Sequence, residues 1–252
     1  MLDRLTESGT GNRGPGLLLS RENRIAESVL HKASWAHQCS PKTIQTLLGA
    51  GHITPLEKGK VLFNRTDRVG QLVLVLKGGL AVSMTTREGR EHLLGFIGIG
   101  HYFGVVPFFD ERTVDYEVSA LTASLVMHLS RASVLRCISE DPGFRLAIIE
   151  TLCYRLRRSY VSLTVTSVLP VAQRCARALL YLVDDLGAAL PDGIHISLKL
   201  SQGTLANTIG CSRPVLNHQL MELRSAGVID IHEGHLVVLD KQALENLVTE
   251  EL

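Results

Sequence analysis

A change in hydrophobic period near the middle of the chain constrains its fold most. From Pro142 to Leu169 there is no glycine after Gly143 and no internal proline. Apolar positions there recur at alternating spacings of three and four, the heptad pattern of a helix that packs along a partner helix. The predicted seam consists of Leu146, Ile149, Cys153, Leu156, Tyr160 and Leu163.

A helix over residues 142–169 would begin with a proline, which the first helical turn tolerates well. At about 1.5 Å per residue it would be about 42 Å long, more than one small domain can cover. We therefore expect a dimer seam, whereas an amphipathic helix lying on its own sheet is the alternative. Pro170 ends or kinks this helix. A second helix is expected over residues 171–186, with Gly187 as its C-terminal cap.

The residues before this helix follow a different pattern. Short apolar runs are separated by glycine-containing turns, which is typical of an antiparallel sandwich or barrel. The runs cover residues 61–63, 72–76, 80–82, 93–96, 118–120 and 125–127.

Residues 200–223, LSQGTLANTIGCSRPVLNHQLMEL, carry the strongest functional signal. Residues 202–209 predict a short helix, and Gly210 predicts a tight turn at positive φ. Ser212 is the predicted N-cap of a second helix, with Pro214 in its first turn.

The second of these helices has one apolar face and one polar face. Its leucines recur at i, i+4 and i+7 and predict burial of Leu216, Leu220 and Leu223. The residues expected to point outward are Arg213, Asn217 and His218. Apolar residues 228–231 and 236–239 flank a predicted turn at residues 232–234, so a β-hairpin follows directly. The segment therefore predicts a winged helix-turn-helix.

These features resemble the Crp/Fnr-type transcription regulators over roughly residues 40–245. Residues 58–63 (KGKVLF) and 76–82 (LKGGLAV) resemble the family's first strands, and residues 209–213 (IGCSR) resemble its helix-turn-helix signature. The resemblance implies an α+β fold with three parts. These are an N-terminal cyclic-nucleotide-binding-type β-roll (jelly roll), a long dimerisation helix and a C-terminal winged helix-turn-helix.

The resemblance also implies a homodimeric, DNA-binding transcription regulator controlled by an effector at the β-roll. Its expected partners are a two-fold-symmetric double-stranded DNA operator, with RNA polymerase as a further candidate, and no membrane. Four parts are expected: a flexible arm at 1–20, an effector-sensing β-roll domain at 21–141, the dimerisation helix at 142–169 and the DNA-binding domain at 170–252. The arm is predicted because its glycine-rich, polar composition cannot bury a core.

The effector site departs from the family pattern. Members that bind cyclic AMP use a Gly-Glu pair and a later Arg-Ser or Arg-Thr pair. Gly104 matches the glycine, but Val105 replaces the glutamate, and Val114 and Asp115 occupy the later positions. Because an aspartate would repel a phosphate, we do not expect cyclic AMP to be the effector.

Several alternatives for the effector stay open. Residues 112–113 could take the place of the Arg-Thr pair through a two-residue bulge, or Arg112 could be a solvated loop residue. An apolar effector, or none, would suit Val105, Val106, Phe108 and Phe109. Tyr154, Ser159 and Tyr160 on the long helix could reach such a pocket or could simply pack in the core. The candidate effector-pocket residues are Gly104, Val105, Val106, Arg112, Thr113, Ser159 and Tyr160.

Metal-containing cofactors have little sequence support. Haem binding through His92, His101 or His128 stays open, although a lone histidine in a sheet is usually structural. We expect no iron–sulfur cluster, because only Cys39 lies near the N-terminus and no CxxC spacing occurs. Scattered cysteines and the lack of a long apolar run favour a cytoplasmic protein.

The expected DNA contacts are Ser201, Gln202, Ser212, Arg213, Pro214, Val215, Asn217, His218 and His232. Arg213 is the best candidate for a guanine contact. Lys199, Arg224 and His235 are further cationic or polar candidates.

Charge complicates this prediction. The chain has a formal net charge of +1, yet residues 170–252 contain six Lys/Arg and ten Asp/Glu. Since phosphate contacts dominate DNA affinity, modest binding is expected. A non-DNA-binding protein-interaction module with a degenerate winged helix is the alternative function. No phosphate-loop, GxSxG or HExxH motif occurs, so we do not expect an enzyme.

Overall fold

The computed structural model describes residues 21–85, 91–232 and 235–249, and it describes all their side chains except those of residues 91, 161–168 and 249. The predicted flexible arm, residues 1–20, lies outside the described residues. The first helices are α1 (Arg21–Lys32) and α2 (Pro41–Ala50), joined by a 3-10 turn at Ser34–Gln38.

Eight strands and one short helix follow. The elements are β1 (Gly51–Leu56), β2 (Val61–Phe63), β3 (Gln71–Lys77), β4 (Leu80–Thr85), β5 (Glu91–Ile97), β6 (Tyr102–Phe103), α3 (Val105–Asp110), β7 (Glu117–Ala120) and β8 (Ser124–Ser130). They form two antiparallel sheets with strand orders β1-β8-β3-β6 and β2-β7-β4-β5. The predicted antiparallel β-roll is therefore confirmed.

The interior of the β-roll is apolar because both sheets contribute side chains to it. Val73 and Val126 come from one sheet, and Leu80 and Val118 from the other. The outer face of the first sheet is covered by α1, α2 and the helices that follow β8. Strand β3 is consequently buried on both faces, which explains its unbroken apolar sequence LVLVL.

Helix α4 (Arg131–Glu140) leads into the long helix α5 (Pro142–Val168), which confirms the predicted long helix. The Asp141 carboxylate caps α5 by accepting from the N–H groups of Gly143 at 2.9 Å and Phe144 at 3.3 Å. It also accepts from the Ser40 N–H at 2.8 Å, at the start of α2. One carboxylate thus ties the N-termini of two helices together.

The C-terminal part consists of α6 (Val171–Leu186), β9 (Gly187–Leu190), β10 (Gly193–Ile196), α7 (Gln202–Ile209), α8 (Arg213–Ser225), β11 (Ile229–His232), β12 (His235–Val238) and α9 (Lys241–Thr249). The wing hairpin β11–β12 extends into a four-stranded sheet of order β11-β12-β10-β9. The sequence patterns missed β9, β10 and α9. Residues 233–234 of the predicted wing turn lie outside the described residues.

Gly187 follows α6 as predicted, but its backbone is extended, with φ −74° and ψ 138°, and not left-handed. A Cβ at this position would overlap the Val183 carbonyl oxygen and crowd Ile194. Glycine is therefore needed here for close packing and not for an αL cap.

The two domains pack directly against each other. Phe96 of β5 belongs to the same buried cluster as the core of the C-terminal domain. Leu198 lies against Gly79, and the Asp185 carbonyl oxygen lies against Gly98, where a Cβ would overlap it. Two glycines of the β-roll thus allow α6 and the segment after β10 to approach closely.

Asp141→Asn is expected to lower the free energy of unfolding at pH 7 by about 1–2 kcal/mol. Burial opposes ionisation of Asp141, but hydrogen bonds from Thr43, Ser40 and Phe144 lower its pKa from 3.8 to about 2. The stabilisation is therefore complete well above pH 4 and is lost as the pH falls through 2. Urea unfolding at pH 7, 5, 3 and 2.5 measures the difference between wild type and variant.

Glu140→Gln, at the exposed neighbouring carboxylate, is the matched control and should change stability less. A difference between wild type and Asp141→Asn that stays constant from pH 7 down to pH 2.5 would contradict the capping role.

Candidate functional site

The two helices of the predicted helix-turn-helix are present with the expected bounds. Gly210 joins α7 to α8 with φ 71° and ψ 45°, the left-handed conformation that the turn required. Leu205 and Ile209 of α7 are buried. The turn is therefore built from the local sequence, with glycine supplying its positive φ.

Helix α8 buries one face and exposes the other. Leu216 and Leu220 are 0% and 4% exposed, whereas Met221 is 55% exposed. At about 100° per residue, Pro214, His218 and Met221 lie opposite the buried leucines. The sequence patterns did not single out Met221, because its exposure on the outer face is visible only once the helix is packed.

The predicted contact residues of α8 do not all lie on that outer face. Arg213 is exposed, and its guanidinium lies beside Gly203 of α7. Val215 is exposed as well, whereas Asn217 is half-buried and is therefore only partly open to a ligand on this surface. Asn217 lies one turn after Arg213, at the edge of the buried face, which explains its partial burial.

The two predicted serine contacts differ in their hydrogen bonding. The Ser201 hydroxyl accepts from the Thr204 N–H at 3.0 Å and caps α7. Ser212 occupies the N-cap of α8 as predicted, although its hydroxyl makes no cap bond. Pro214 is the second residue of α8 and lacks an N–H, which removes one of the two donors an N-cap hydroxyl can use. Gln202 is exposed at the first turn of α7.

Several candidate DNA contacts are paired with carboxylates of their own domain. His218 lies 3.3 Å from Glu222. Asp230 is 3.0 Å from Arg224 and 2.7 Å from His232. The Asp230 carboxylate thus neutralises the Arg224 charge that a phosphate would otherwise meet, and both histidines already have a carboxylate as a neighbour.

Two cationic side chains near the helix-turn-helix are exposed and not paired. Among the residues that the structure describes, Arg213 and Lys199 have no carboxylate partner within ion-pair distance. They are the cations most directly available to a polyanion on this surface.

The residues of α3 do not line one pocket. Val105 and Phe108 are both fully buried, whereas Val106 is 54% and Phe109 is 45% exposed. The predicted common apolar pocket is therefore wrong, because adjacent positions of a helix point in different directions. Gly104 precedes α3 with φ 97°, and a Cβ there would crowd the Gln71 carbonyl oxygen.

The residues present do not fit a cyclic nucleotide of the type that the family binds. Val105 and Val114, which replace the glutamate and the arginine, are 0% and 3% exposed and pack in apolar cores. Asp115 is exposed. A cyclic phosphate at these positions would meet buried methyl groups and no compensating charge.

Arg112 and Thr113 do not turn into the β-roll. Both are exposed, and Thr113 pairs through its backbone with Arg68. Of the two alternatives for Arg112, the exposed loop residue is therefore favoured over the two-residue bulge, and Arg112 lines an outer cleft together with Arg68 and Arg131.

The long helix reaches the β-roll through residues other than the predicted ones. Ser159 donates its hydroxyl to the Arg155 carbonyl of its own helix, and Tyr160 is 62% exposed. Arg155 instead donates to the Tyr102 carbonyl oxygen. Thr151 is hydrogen-bonded to the Tyr102 hydroxyl at 2.7 Å. These partners were not predictable, since they lie about 50 positions apart in sequence.

The predicted seam forms an exposed apolar stripe on α5. Leu146, Ile149, Leu156 and Tyr160 are 48%, 50%, 52% and 62% exposed, and Cys153 is exposed too. The side chain of Leu163 lies outside the described residues. Neighbouring Ala147 and Ile148 are buried against the β-roll, so the stripe is a second face that the described residues leave uncovered.

An ion pair joins α5 to α6 at the domain junction. Arg158 Nη1 lies 2.6 Å from Asp185 Oδ1, with side-chain exposures of 22% and 8%. The guanidinium also stacks on the Tyr181 ring at 4.1 Å. Burial raises the pKa of the Asp185 carboxyl, and Arg158 opposes that shift. The hydroxyl of Tyr154, an α5 residue that the sequence left open between the effector pocket and the core, donates to Asp184 of α6 at 3.1 Å.

The histidines of the β-roll lie apart on different elements. His92 is exposed on β5, His101 is half-buried after the β5–β6 turn, and His128 contacts Thr54 at 2.9 Å on β8. Across the part of the chain that the structure describes, no group of three His, Cys, Asp or Glu could hold a metal ion.

Burial raises the pKa of the Cys39 thiol to about 12. None of the described helices has the length and hydropathy that a membrane span requires.

Two protein-family models match this chain. The Cyclic nucleotide-binding domain model matches residues 53–141, and the Crp-like helix-turn-helix domain model matches residues 173–247. Together they cover more than half of the chain.

Curated relatives are similar over most of their length. The Global nitrogen regulator of Synechococcus elongatus is 26% identical over 215 residues, which is 83% of this chain and 97% of that protein. The CRP-like cAMP-activated global transcriptional regulator of Mycobacterium tuberculosis is 22% identical over 218 residues, 86% of this chain and 97% of that protein. Among solved structures, FixK2 from Bradyrhizobium japonicum has the same fold. Its TM-score is 0.68 at 16% identity, over 80% of this chain and 99% of that one.

Arg158→Met is expected to lower the free energy of unfolding by about 3 kcal/mol, because it leaves the buried Asp185 carboxylate without its partner. In a double-mutant cycle, Arg158→Met/Asp185→Leu should be less destabilised than the sum of the single variants by at least about 1 kcal/mol. Chemical denaturation of the four proteins measures this coupling.

The exposed pair Lys42–Glu140, 2.8 Å apart, is the matched control. Its own cycle should give a coupling below about 1 kcal/mol. Equal couplings for the two pairs would contradict the importance of burial at the domain junction.

Proposed function

This chain belongs to the Crp/Fnr family of DNA-binding transcription regulators, and we propose that it acts as a homodimer controlled from its β-roll. In this proposal, residues 21–141 sense an effector, residues 142–169 dimerise and residues 170–252 bind DNA. The observation that carries it is the helix-turn-helix of α7 and α8, with the exposed face of α8 available to a major groove.

The apolar stripe of α5 supports the homodimer. Five of its predicted seam residues are exposed although the opposite edge of the same helix is buried. A monomer would leave this stripe in water, whereas the same stripe on a second copy would cover it by heptad packing. A parallel pair of α5 helices would also place two winged domains on one side, as a symmetric operator requires.

Helix α8 is the proposed recognition element. Arg213 at its first turn and Lys199 nearby supply the uncommitted positive charge, and His218 lies on the outer face. Arg224 and His232 are held by Asp230, so we propose that they contribute less to DNA affinity than Arg213. Binding should therefore be modest and only weakly salt-dependent.

The proposed coupling runs through the domain junction. Arg155 contacts β6 and Arg158 contacts α6, so two residues one turn apart on α5 join the sensing and DNA-binding parts. An effector that changed the position of α5 relative to the β-roll would also move α6. For this to happen, the effector must have different affinities for the two positions of α5 relative to the β-roll.

The outer face of α8 favours one alternative function, a protein-interaction module. Val215 and Met221 are 40% and 55% exposed there, and the domain has more acidic than basic residues. An apolar, mildly acidic surface is more typical of a protein interface than of a DNA interface. DNA binding by the purified protein distinguishes the two.

Leu156→Glu is expected to weaken self-association at least about tenfold, because it places a charge in each half of an apolar seam. Light scattering after size-exclusion chromatography, over a dilution series, measures the monomer fraction. Leu135→Glu is the matched control, since Leu135 is 40% exposed on α4, away from the stripe. A wild type that is monomeric at high concentration, or equal effects of both variants, would contradict the seam.

Arg213→Ala is expected to weaken binding to a selected operator by about 1–3 kcal/mol and to relax preference at one base position. Selection from random duplexes defines the operator, and fluorescence anisotropy at two salt concentrations measures affinity. Arg224→Ala, on the same helix but paired with Asp230 at 3.0 Å, is the matched control and should lose less. An unchanged base preference in Arg213→Ala would reject its assignment. Failure of the wild type to bind any duplex at low salt would favour the protein-interaction alternative.

A further inference from the structure

A basic cleft lies on the outer surface of the β-roll, between the β2–β3 loop and the loop after α3. It has a volume of about 200 Å³ and is lined by Arg68, Val69, Gly70, Pro107, Glu111, Arg112 and Arg131. Three guanidinium groups and one carboxylate give the lining an excess of two positive charges. From this geometry we propose that the cleft binds a small oxyanion carrying two negative charges.

One arginine of the cleft is already held in place. Arg131 donates to the Phe108 carbonyl oxygen and, at 2.6 Å, to Glu111 Oε1. Its guanidinium also stacks on the Phe108 ring at 4.8 Å. Because Glu111 is engaged by Arg131, the single carboxylate of the lining does not neutralise the other two arginines.

The other two arginines have fixed backbones and uncommitted side chains. Arg68 and Thr113 form a backbone bridge, and the Arg112 N–H donates to Asp110 Oδ1 at 3.0 Å. Within the described part of the chain, neither Arg68 nor Arg112 has a carboxylate at ion-pair distance. Two guanidiniums so placed can each present paired N–H donors to one oxyanion.

Backbone strain coincides with this cleft. Among the described residues, the only two non-glycine residues with positive φ are Thr66, at 75°, and Glu111, at 56°. Glu111 lines the cleft, and Thr66 lies two positions before Arg68 and donates to the Val114 carbonyl oxygen at 2.7 Å. Strained backbone of this kind persists where the surroundings hold it and is common at ligand sites.

The size of the cleft restricts the ligand. Its volume of about 200 Å³ lies below the roughly 300–1,000 Å³ that is typical of pockets for drug-sized ligands. Val69 and Pro107, the two apolar side chains of the lining, are themselves buried. A phosphate group or a short dicarboxylate fits both the volume and the charge of the cleft. A ligand bound there would contact the β2–β3 loop and α3 at the same time. The site is independent of the proposed DNA binding.

Isothermal titration calorimetry of the full chain at low ionic strength tests this site, with inorganic phosphate and malonate as separate probes. The wild type should bind at least one probe saturably, with one site per chain. Arg68→Gln/Arg112→Gln should weaken that binding at least about tenfold, and each single variant by several fold. Binding of phosphate alone would indicate a phosphate ester as ligand, and binding of malonate alone a dicarboxylate.

Arg65→Gln is the matched control, because Arg65 is an exposed arginine of the same loop that does not line the cleft. It should change the affinity less than twofold. The proposal is overturned if neither probe binds saturably, if the double variant binds as the wild type does, or if Arg65→Gln loses as much affinity as the double variant. Circular dichroism of each variant confirms that a loss of binding is not a loss of fold.

Discussion

The ion pair between Arg158 and Asp185 is the interaction on which the arrangement of the two domains depends. It joins the long helix to the first helix of the C-terminal domain at 2.6 Å, and both side chains are largely buried. A charge that is removed from water has to be paired. Rotating one helix against the other would separate these two side chains, so the ion pair holds the helices in one orientation. Close packing at Gly79 and Gly98 reinforces the same orientation.

Helix α5 combines three contacts on different parts of its surface. Its N-terminus is capped by Asp141, and one edge is buried on the β-roll through Ala147 and Ile148. A second edge carries Arg155 and Arg158 toward Tyr102 and α6. The remaining stripe is apolar and exposed, so a second copy can pack there without disturbing the other contacts. A single rigid helix can thus relate the β-roll, the winged helix-turn-helix domain and, in the proposed dimer, the second copy.

Electrostatics explains how an acidic domain can still bear a nucleic-acid surface. The excess carboxylates are not uniformly placed: Asp230 holds Arg224 and His232, and Glu222 lies by His218. These contacts concentrate the available positive charge at the start of α8. The net charge of a domain therefore says less about its partner than the number of cations without a local carboxylate.

The sequence by itself determined the features that depend on near neighbours in the chain. Strand runs, the long helix, the Gly210 turn and the leucine face of α8 all follow from periodicity and turn chemistry acting over a few residues. The same periodicity placed the apolar seam residues of α5 on one face of that helix.

Only the tertiary structure decided which of the polar residues are free to act. Asn217 is half-buried at a helix edge, and Arg224 forms an ion pair with Asp230. Arg112 points to an outer cleft rather than into the β-roll. Arg158 finds its partner 27 positions away on another helix. Such pairings depend on how whole elements pack. Because no local pattern encodes that packing, the sequence named Asn217, Arg224 and Arg112 but not their surroundings, and it did not point to Arg158 at all.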